Sequence, residues 1–118
     1  MVLSERLADR AMILVPAGRI DMTTSDQFRE RLLPLVDDCV KKGWAVILDF
    51  SAVEYISSAG LRVLMLAAKQ ARTSGQTVAI AALQPVVLEI FQISRFDKVL
   101  PCYPGVSEAL ESVAPRAQ

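Results

Sequence analysis

The sequence predicts a single α/β domain, a mixed β-sheet with helices packed against it, in the order β-β-α-β-α-β-α-β-α over residues 1–118. Three observations carry this reading. Trp44–Leu48 and Val78–Ala82 are short, unbroken apolar runs, the pattern of strands covered on both faces. The segments between such runs place apolar residues at helical spacing and have recognisable ends. A chain of 118 residues that is 53% hydrophobic, with a mean hydropathy of +0.36, buries about two-thirds of its unfolded surface in one core without metal or disulfide staples.

Each element follows in order. Val2–Leu7 and Ala11–Val15 read as strands joined in a hairpin across Asp9 and Arg10, the second stopped by Pro16 and Gly18. Thr24 opens the first helix in a capping-box pattern, its hydroxyl taking an unpaired backbone N–H while Gln27 reaches back. Phe28, Leu32, Leu35, Val36 and Cys39 then recur at helical spacing, which assigns Cys39 to the core. Lys41 and Lys42 complement the carbonyl end of that helix and Gly43 supplies its cap, while Pro34 within it predicts a kink. Trp44–Leu48 is the central strand, followed by a linking stretch from Asp49 to Ile56. The second helix spans about Ser58 to Thr73, with Leu61, Leu64, Met65, Ala68 and Ala71 on its apolar face and Gly75 beyond its end.

Val78–Ala82 is the next strand, and Pro85 fits the first position of a third helix carrying Val87, Leu88, Ile90 and Phe91. Val99 and Leu100 make a brief last strand. Pro104 and Gly105 lead into a final helix with Val106, Ala109, Leu110 and Val113, and residues 114–118 read as a disordered tail.

Composition excludes several functions. Lys and Arg number 13, as do Asp and Glu, and both signs are interspersed, so the basic footprint of a nucleic-acid binder is missing. With no histidine, the chain lacks the commonest general base and the commonest metal ligand, and no metal is expected. Cys39 and Cys102 have neither metal-site nor redox-motif spacing and read as reduced thiols of a cytoplasmic protein. Glu5, Arg6, Asp9 and Arg10 interrupt any apolar leader. The longest uncharged run, Thr73–Leu88, contains Gly75 and Pro85 and falls short of the ~20 apolar residues of a membrane span, so no membrane partner is expected. No glycine-rich phosphate loop occurs, and no cofactor is expected. Asp37 and Asp38, adjacent on a helix, do not face each other as a catalytic pair would.

One stretch departs from this plain pattern: Tyr55-Ile56-Ser57-Ser58-Ala59-Gly60-Leu61. Two hydroxyls stand where a loop turns into a helix, and Gly60 occupies the first turn although helix propensity favours alanine there by ~1 kcal/mol. That glycine calls for a close backbone approach. Serine at a helix start ordinarily caps it. The same first turn, with its unpaired N–H groups and positive dipole end, also suits a phosphate. A nucleophilic serine lacks both a histidine to activate it and a G-x-S-x-G elbow.

The stretch from Leu48 through Asp49 and Ser57-Ser58-Ala59-Gly60 to Leu61 resembles the signature of STAS domains, the anti-sigma factor antagonists of bacteria. Gly18-Arg19-Ile20-Asp21 is similar to the family's G-x-[IL]-D turn before the first helix, and the element order matches across nearly the whole chain. The resemblance implies a STAS-type fold and a binding switch in place of an enzyme. In that family the unphosphorylated antagonist binds an anti-sigma factor that is also a serine protein kinase, phosphorylation of a serine at the start of the second helix ends the binding, and a PP2C-type phosphatase restores it. Laying Gly60-Leu61 on the family's Gly-Leu makes Ser58 the phosphorylated serine, with Ser57, which replaces the usual aspartate, as second choice. It implies partner contacts at Asp21, Ser57, Ser58 and Gly60, with Asp49 near the site.

Two other readings stay open. One is a STAS subunit or adaptor of another complex, for example a lipid-transport ATPase, with no phospho-switch. The other is a small enzyme or ligand carrier using the Ser57-Ser58 loop as an anion pocket.

Overall fold

The computed structural model describes residues 2–8 and 11–113. Its sheet is built around one long strand, because three others use different stretches of its edges. Strand β1 (Val2–Ala8) pairs antiparallel with β2 (Ala11–Ile20), from Val2 opposite Ala17 to Ala8 opposite Ala11. The expected hairpin turn at Asp9 and Arg10, like the expected tail at residues 114–118, lies outside the described residues. Strand β3 (Ala45–Asp49) runs parallel to Ala11–Leu14 of β2, and β4 (Val53–Ile56) parallel to its end, Gly18–Ile20. Then β5 (Val78–Ala81) adds to β3 and β6 (Cys102–Tyr103) adds to β5, both parallel, for a sheet order of β1-β2-β3-β5-β6 with β4 on β2.

Among the described residues there are four helices, α1 (Ser25–Lys41), α2 (Ser58–Arg72), α3 (Pro85–Ile93) and α4 (Val106–Val113), with a 3-10 turn at Phe96–Lys98. The first three cover one face of the sheet, where Leu14, Leu48 and Ile80 meet Phe28, Leu32, Leu64 and Phe91. The short α4 covers the other, setting Ala109 against Ile13, Ile47, Ala79 and Ala81; alanines let a short helix lie close. On the first face Phe91 bridges Phe50 and Phe96 edge-on, at centroid distances of 6.2 and 6.0 Å. Cys39 is buried, as its helical spacing predicts.

The single α/β domain and mixed sheet are as expected, and four local expectations are corrected. Strand β2 continues through Pro16 and Gly18. Pro16 falls between the last pair with β3 (Leu14–Leu48) and the first with β4 (Gly18–Val53), so pairing on that edge asks no N–H of it. Gly18, at φ +89°, sits at the bulge where the register with β4 shifts. The stretch read as a link contains β4, whose four residues are buried at both ends (Val53, Ile56) and exposed or half-buried between (Glu54, Tyr55), with no two-residue alternation to mark a strand. The last strand lies at Cys102–Tyr103, because Arg95 enters the left-handed region (φ 61°) and starts a 3-10 turn that sends Leu100 into the core.

The capping box at Thr24 does not form. The Thr24 hydroxyl makes no cap bond to α1 and instead holds the turn before it, accepting from the Asp21 N–H (2.9 Å) and donating to the Arg19 carbonyl (2.8 Å). Helix α1 runs on through Pro34 for 17 residues. Pro34 and Glu30 are both exposed, so the interruption of the helix ladder falls on the solvent side of α1.

Candidate functional site

The sheet register builds the site. β2 and β4 are parallel neighbours that end side by side, Ile20 opposite Ile56. A helix begins just beyond each strand, so the N-termini of α1 and α2 come together at the carboxyl edge of the sheet, where open α/β sheets present their binding surfaces.

Asp21 builds the turn into α1. One carboxylate oxygen accepts from the Thr23 N–H (2.9 Å) and hydroxyl (2.6 Å), and the Asp21 carbonyl accepts from the Ser25 N–H (2.8 Å). The Arg19 side chain lies 3.7 Å from the other carboxylate oxygen and stacks 4.5 Å over the Tyr55 ring, tying the turn to β4. The Thr23 hydroxyl and then the Thr23 N–H hold the Asp21 carboxyl below its ordinary pKa, with Arg19 adding to the effect. Asp21 thus shapes the turn beneath the adjoining Met22.

The two serines separate cleanly. Ser57 is 9% exposed; its N–H donates to the Ile20 carbonyl at the end of β2 (2.8 Å) and its hydroxyl caps α2 by accepting from the Gly60 N–H (3.2 Å). Ser58, the first residue of α2, is exposed. Gly60 is buried over the strand ends. A Cβ there would lie 2.7 Å from Ile20 Cγ2, 2.7 Å from Ile56 Cγ1 and 3.2 Å from the Ile20 carbonyl oxygen, the close approach that the glycine foretold. What Gly60 contributes to the surface is the tight seating of α2, which fixes where Ser58 stands.

Ser58 stands on a ridge between two depressions, each of about 380 Å³. One lies between α1 and α2, bordered by Met22, Asp26, Arg29, Arg62 and Leu66. The other lies between α2 and the end of α3, bordered by Leu61, Arg62, Met65, Ser94 and Phe96. Exposed apolar side chains gather on these elements: Met22 is 82% exposed, Ile93 76%, and Met65 and Leu66 39% each. Met22 and Leu66 border the first depression and Met65 the second, so exposed apolar side chains stand on both sides of Ser58.

Sequence reasoning missed Met65 and Leu66. Met65 is expected on the buried face with Leu61, Leu64, Ala68 and Ala71, but it is 39% exposed while Leu61 and Ala68 are buried, and it borders the α2–α3 depression. Asp49, expected near Ser58, closes a turn after β3 by accepting from the Ser51 N–H (2.9 Å), and borders neither depression. Among the described residues no three His, Cys, Asp or Glu side chains are grouped to hold a metal. Burial raises the Cys39 thiol pKa and pushes that of Cys102 up to about 11, leaving both protonated and weakly nucleophilic.

This architecture is that of one family. The STAS domain model matches residues 5–109, and the chain belongs to the STAS domain family. Within it the chain is similar to proteins named as anti-sigma factor antagonists, which are regulators. It is 36% identical over 93 residues to a candidate anti-sigma factor antagonist, BtrV, of Bordetella bronchiseptica, covering 79% of this chain and 78% of that one. A crystal structure of a candidate anti-sigma factor antagonist from Thermotoga maritima superimposes with a TM-score of 0.83 at 25% identity, covering 96% of this chain and 95% of that one. The Bacillus cell fate determinant SpoIIAA, an anti-sigma factor antagonist solved in unphosphorylated and phosphorylated forms, shares the fold. Its TM-score is 0.65 in both forms, at 11% and 13% identity, over 93% of this chain and 96% and 97% of the other.

Proposed function

We propose that this protein is a non-enzymatic, partner-switching regulator of the cytoplasm. Unphosphorylated, it binds an anti-sigma factor that is also a serine protein kinase; phosphorylation of Ser58 ends that binding and a PP2C-type phosphatase restores it. The observation that carries the reading is the division of labour between the serines: Ser57 is buried and holds the cap, while Ser58 is exposed on the ridge between two depressions, each bordered by exposed apolar and charged side chains. The names of the relatives support the anti-sigma partner.

The physical account is short. A phosphate adds about −1.5 to −2 charges and three acceptor oxygens, and the start of α2 accommodates it through its free N–H groups and dipole, so the domain need not rearrange. The change falls on the contact surface. Covering Ser58 with a partner when it carries an unmatched dianion costs several kcal/mol, and each ~1.4 kcal/mol is a factor of ten in affinity.

Incubation of the purified protein with its candidate kinase and ATP, followed by mass spectrometric mapping, tests the assignment. Phosphate at Ser58, lost in Ser58→Ala, is the expected result. Constitutive binding of a neighbouring protein, with no modification of Ser57 or Ser58, would instead make the chain a STAS adaptor in which both serines are structural.

A further inference from the structure

The depression between α1 and α2 carries a feature that the binding switch does not itself require. Arg62 lies four residues after Ser58 on α2, on the same helix face, where side chains one turn apart meet. Arg29 of α1 borders the same depression from the other side. The ion pairs of the described residues are Arg19–Asp21, Lys41–Asp37 and Lys42–Asp38, so neither Arg29 nor Arg62 has a carboxylate partner among them. The acid bordering this depression, Asp26, is one turn before Arg29 and within ion-pair distance of neither arginine. Two unpaired guanidiniums therefore share the rim with the exposed Ser58 hydroxyl.

We infer that Arg62 and Arg29 form a receptor for the phosphate of phosphorylated Ser58, closing on it from both sides of the α1–α2 depression. The inference rests on Ser58 as the modified residue. Arginine is the side chain best suited to this task, because its planar fork meets phosphate oxygens in paired hydrogen bonds. Arg62 reaches from within the same helix and Arg29 from the facing one, so the modification cross-links α1 to α2 electrostatically. The phosphorylated state then differs from the unmodified one in two respects: a filled depression, and two arginines no longer free to meet acidic groups of a partner. Asp26 opposes the closure, and its charge limits how tightly the phosphate is held.

Phosphoserine placed at position 58 during synthesis, followed through its second ionisation by phosphorus NMR, tests this without any kinase. In the native background the second pKa is expected about one unit below that of a phosphoserine peptide, the scale of an opposite charge within a few ångströms. It should return part of the way in Arg62→Gln or Arg29→Gln and most of the way in the double variant. A peptide-like value in the native background, or a depressed value unmoved by both substitutions, would overturn the receptor, the latter assigning the whole effect to the helix start. Amide spectra of the unmodified variants confirm that they fold. A kinase that ignored Ser58 would refute the switch and leave this titration readable, so the two failures are distinct.

Discussion

Replacing Gly60 by alanine tests how the site is held, because two effects of known size act against each other there. Alanine favours a helix over glycine by about 1 kcal/mol, so propensity alone predicts a more stable protein. The added Cβ, however, would lie 2.7 Å from Ile20 Cγ2 and 2.7 Å from Ile56 Cγ1, several tenths of an ångström inside ordinary contact. Neither atom can swing clear, since both are bonded directly to Cβ of β-branched residues whose χ1 is restricted, and both residues are 1% exposed or less. The third contact, 3.2 Å to the Ile20 carbonyl, is with backbone that also accepts from the Ser57 N–H. The start of α2 must therefore lift. With two side-chain clashes that cannot swing clear and a third contact on backbone, the cost falls in the upper part of the range for overpacking, about 2–3 kcal/mol, and after the propensity gain the net loss is about 1–2 kcal/mol. For a domain of this size that lowers Tm by about 4–8 °C. Thermal and urea unfolding of Gly60→Ala read this directly, and a variant as stable as the parent or more so would refute the close seating of α2 on the strand ends.

Other predictions follow from the same geometry. Ser57→Ala should cost about 1–2 kcal/mol, by loss of the cap and of the partner of the Gly60 N–H, whereas Ser58→Ala should leave urea unfolding almost unchanged because its side chain is exposed. The Asp21 carboxyl has a lowered folded pKa, so its contribution is complete above the unfolded value near 4 and is lost as pH falls through the lower folded value. The stability difference between the parent and Asp21→Asn should accordingly be flat at neutral pH and shrink below about pH 4, and a difference that grew on acidification would contradict the bonding at Thr23. Cys102, with a pKa of about 11, should alkylate slowly at pH 8 and accelerate steeply towards pH 11, while the buried Cys39 should react only on unfolding.

The sequence made the fold legible where one segment meets one uniform environment. Trp44–Leu48 and Val78–Ala82 have helices on both sides, and their unbroken apolar character maps closely to β3 and β5. Elements whose environment changes along their length were harder to read. β2 exchanges one neighbour for another at Pro16, so its proline and glycine look like a stop when they mark a handover. β4 is defined by its partner more than by its own four residues.

The site was legible at Ser57, Ser58 and Gly60 because a glycine in the first turn of a helix conflicts with local propensity, and such conflicts flag a tertiary demand. Arg29 and Met22 give no such signal. An arginine on a helix face looks solvated, and an exposed methionine in a turn looks incidental, until the parallel pairing of β2 with β4 sets α1 beside α2.

The central claim is that phosphate on Ser58 ends partner binding, and calorimetric affinity for the proposed anti-sigma kinase, measured with unmodified protein and with protein carrying phosphoserine at position 58, tests it most directly. The account predicts a loss of about 100-fold or more, equivalent to about 3 kcal/mol at ~1.4 kcal/mol per factor of ten. Equal affinity of the two forms would contradict it.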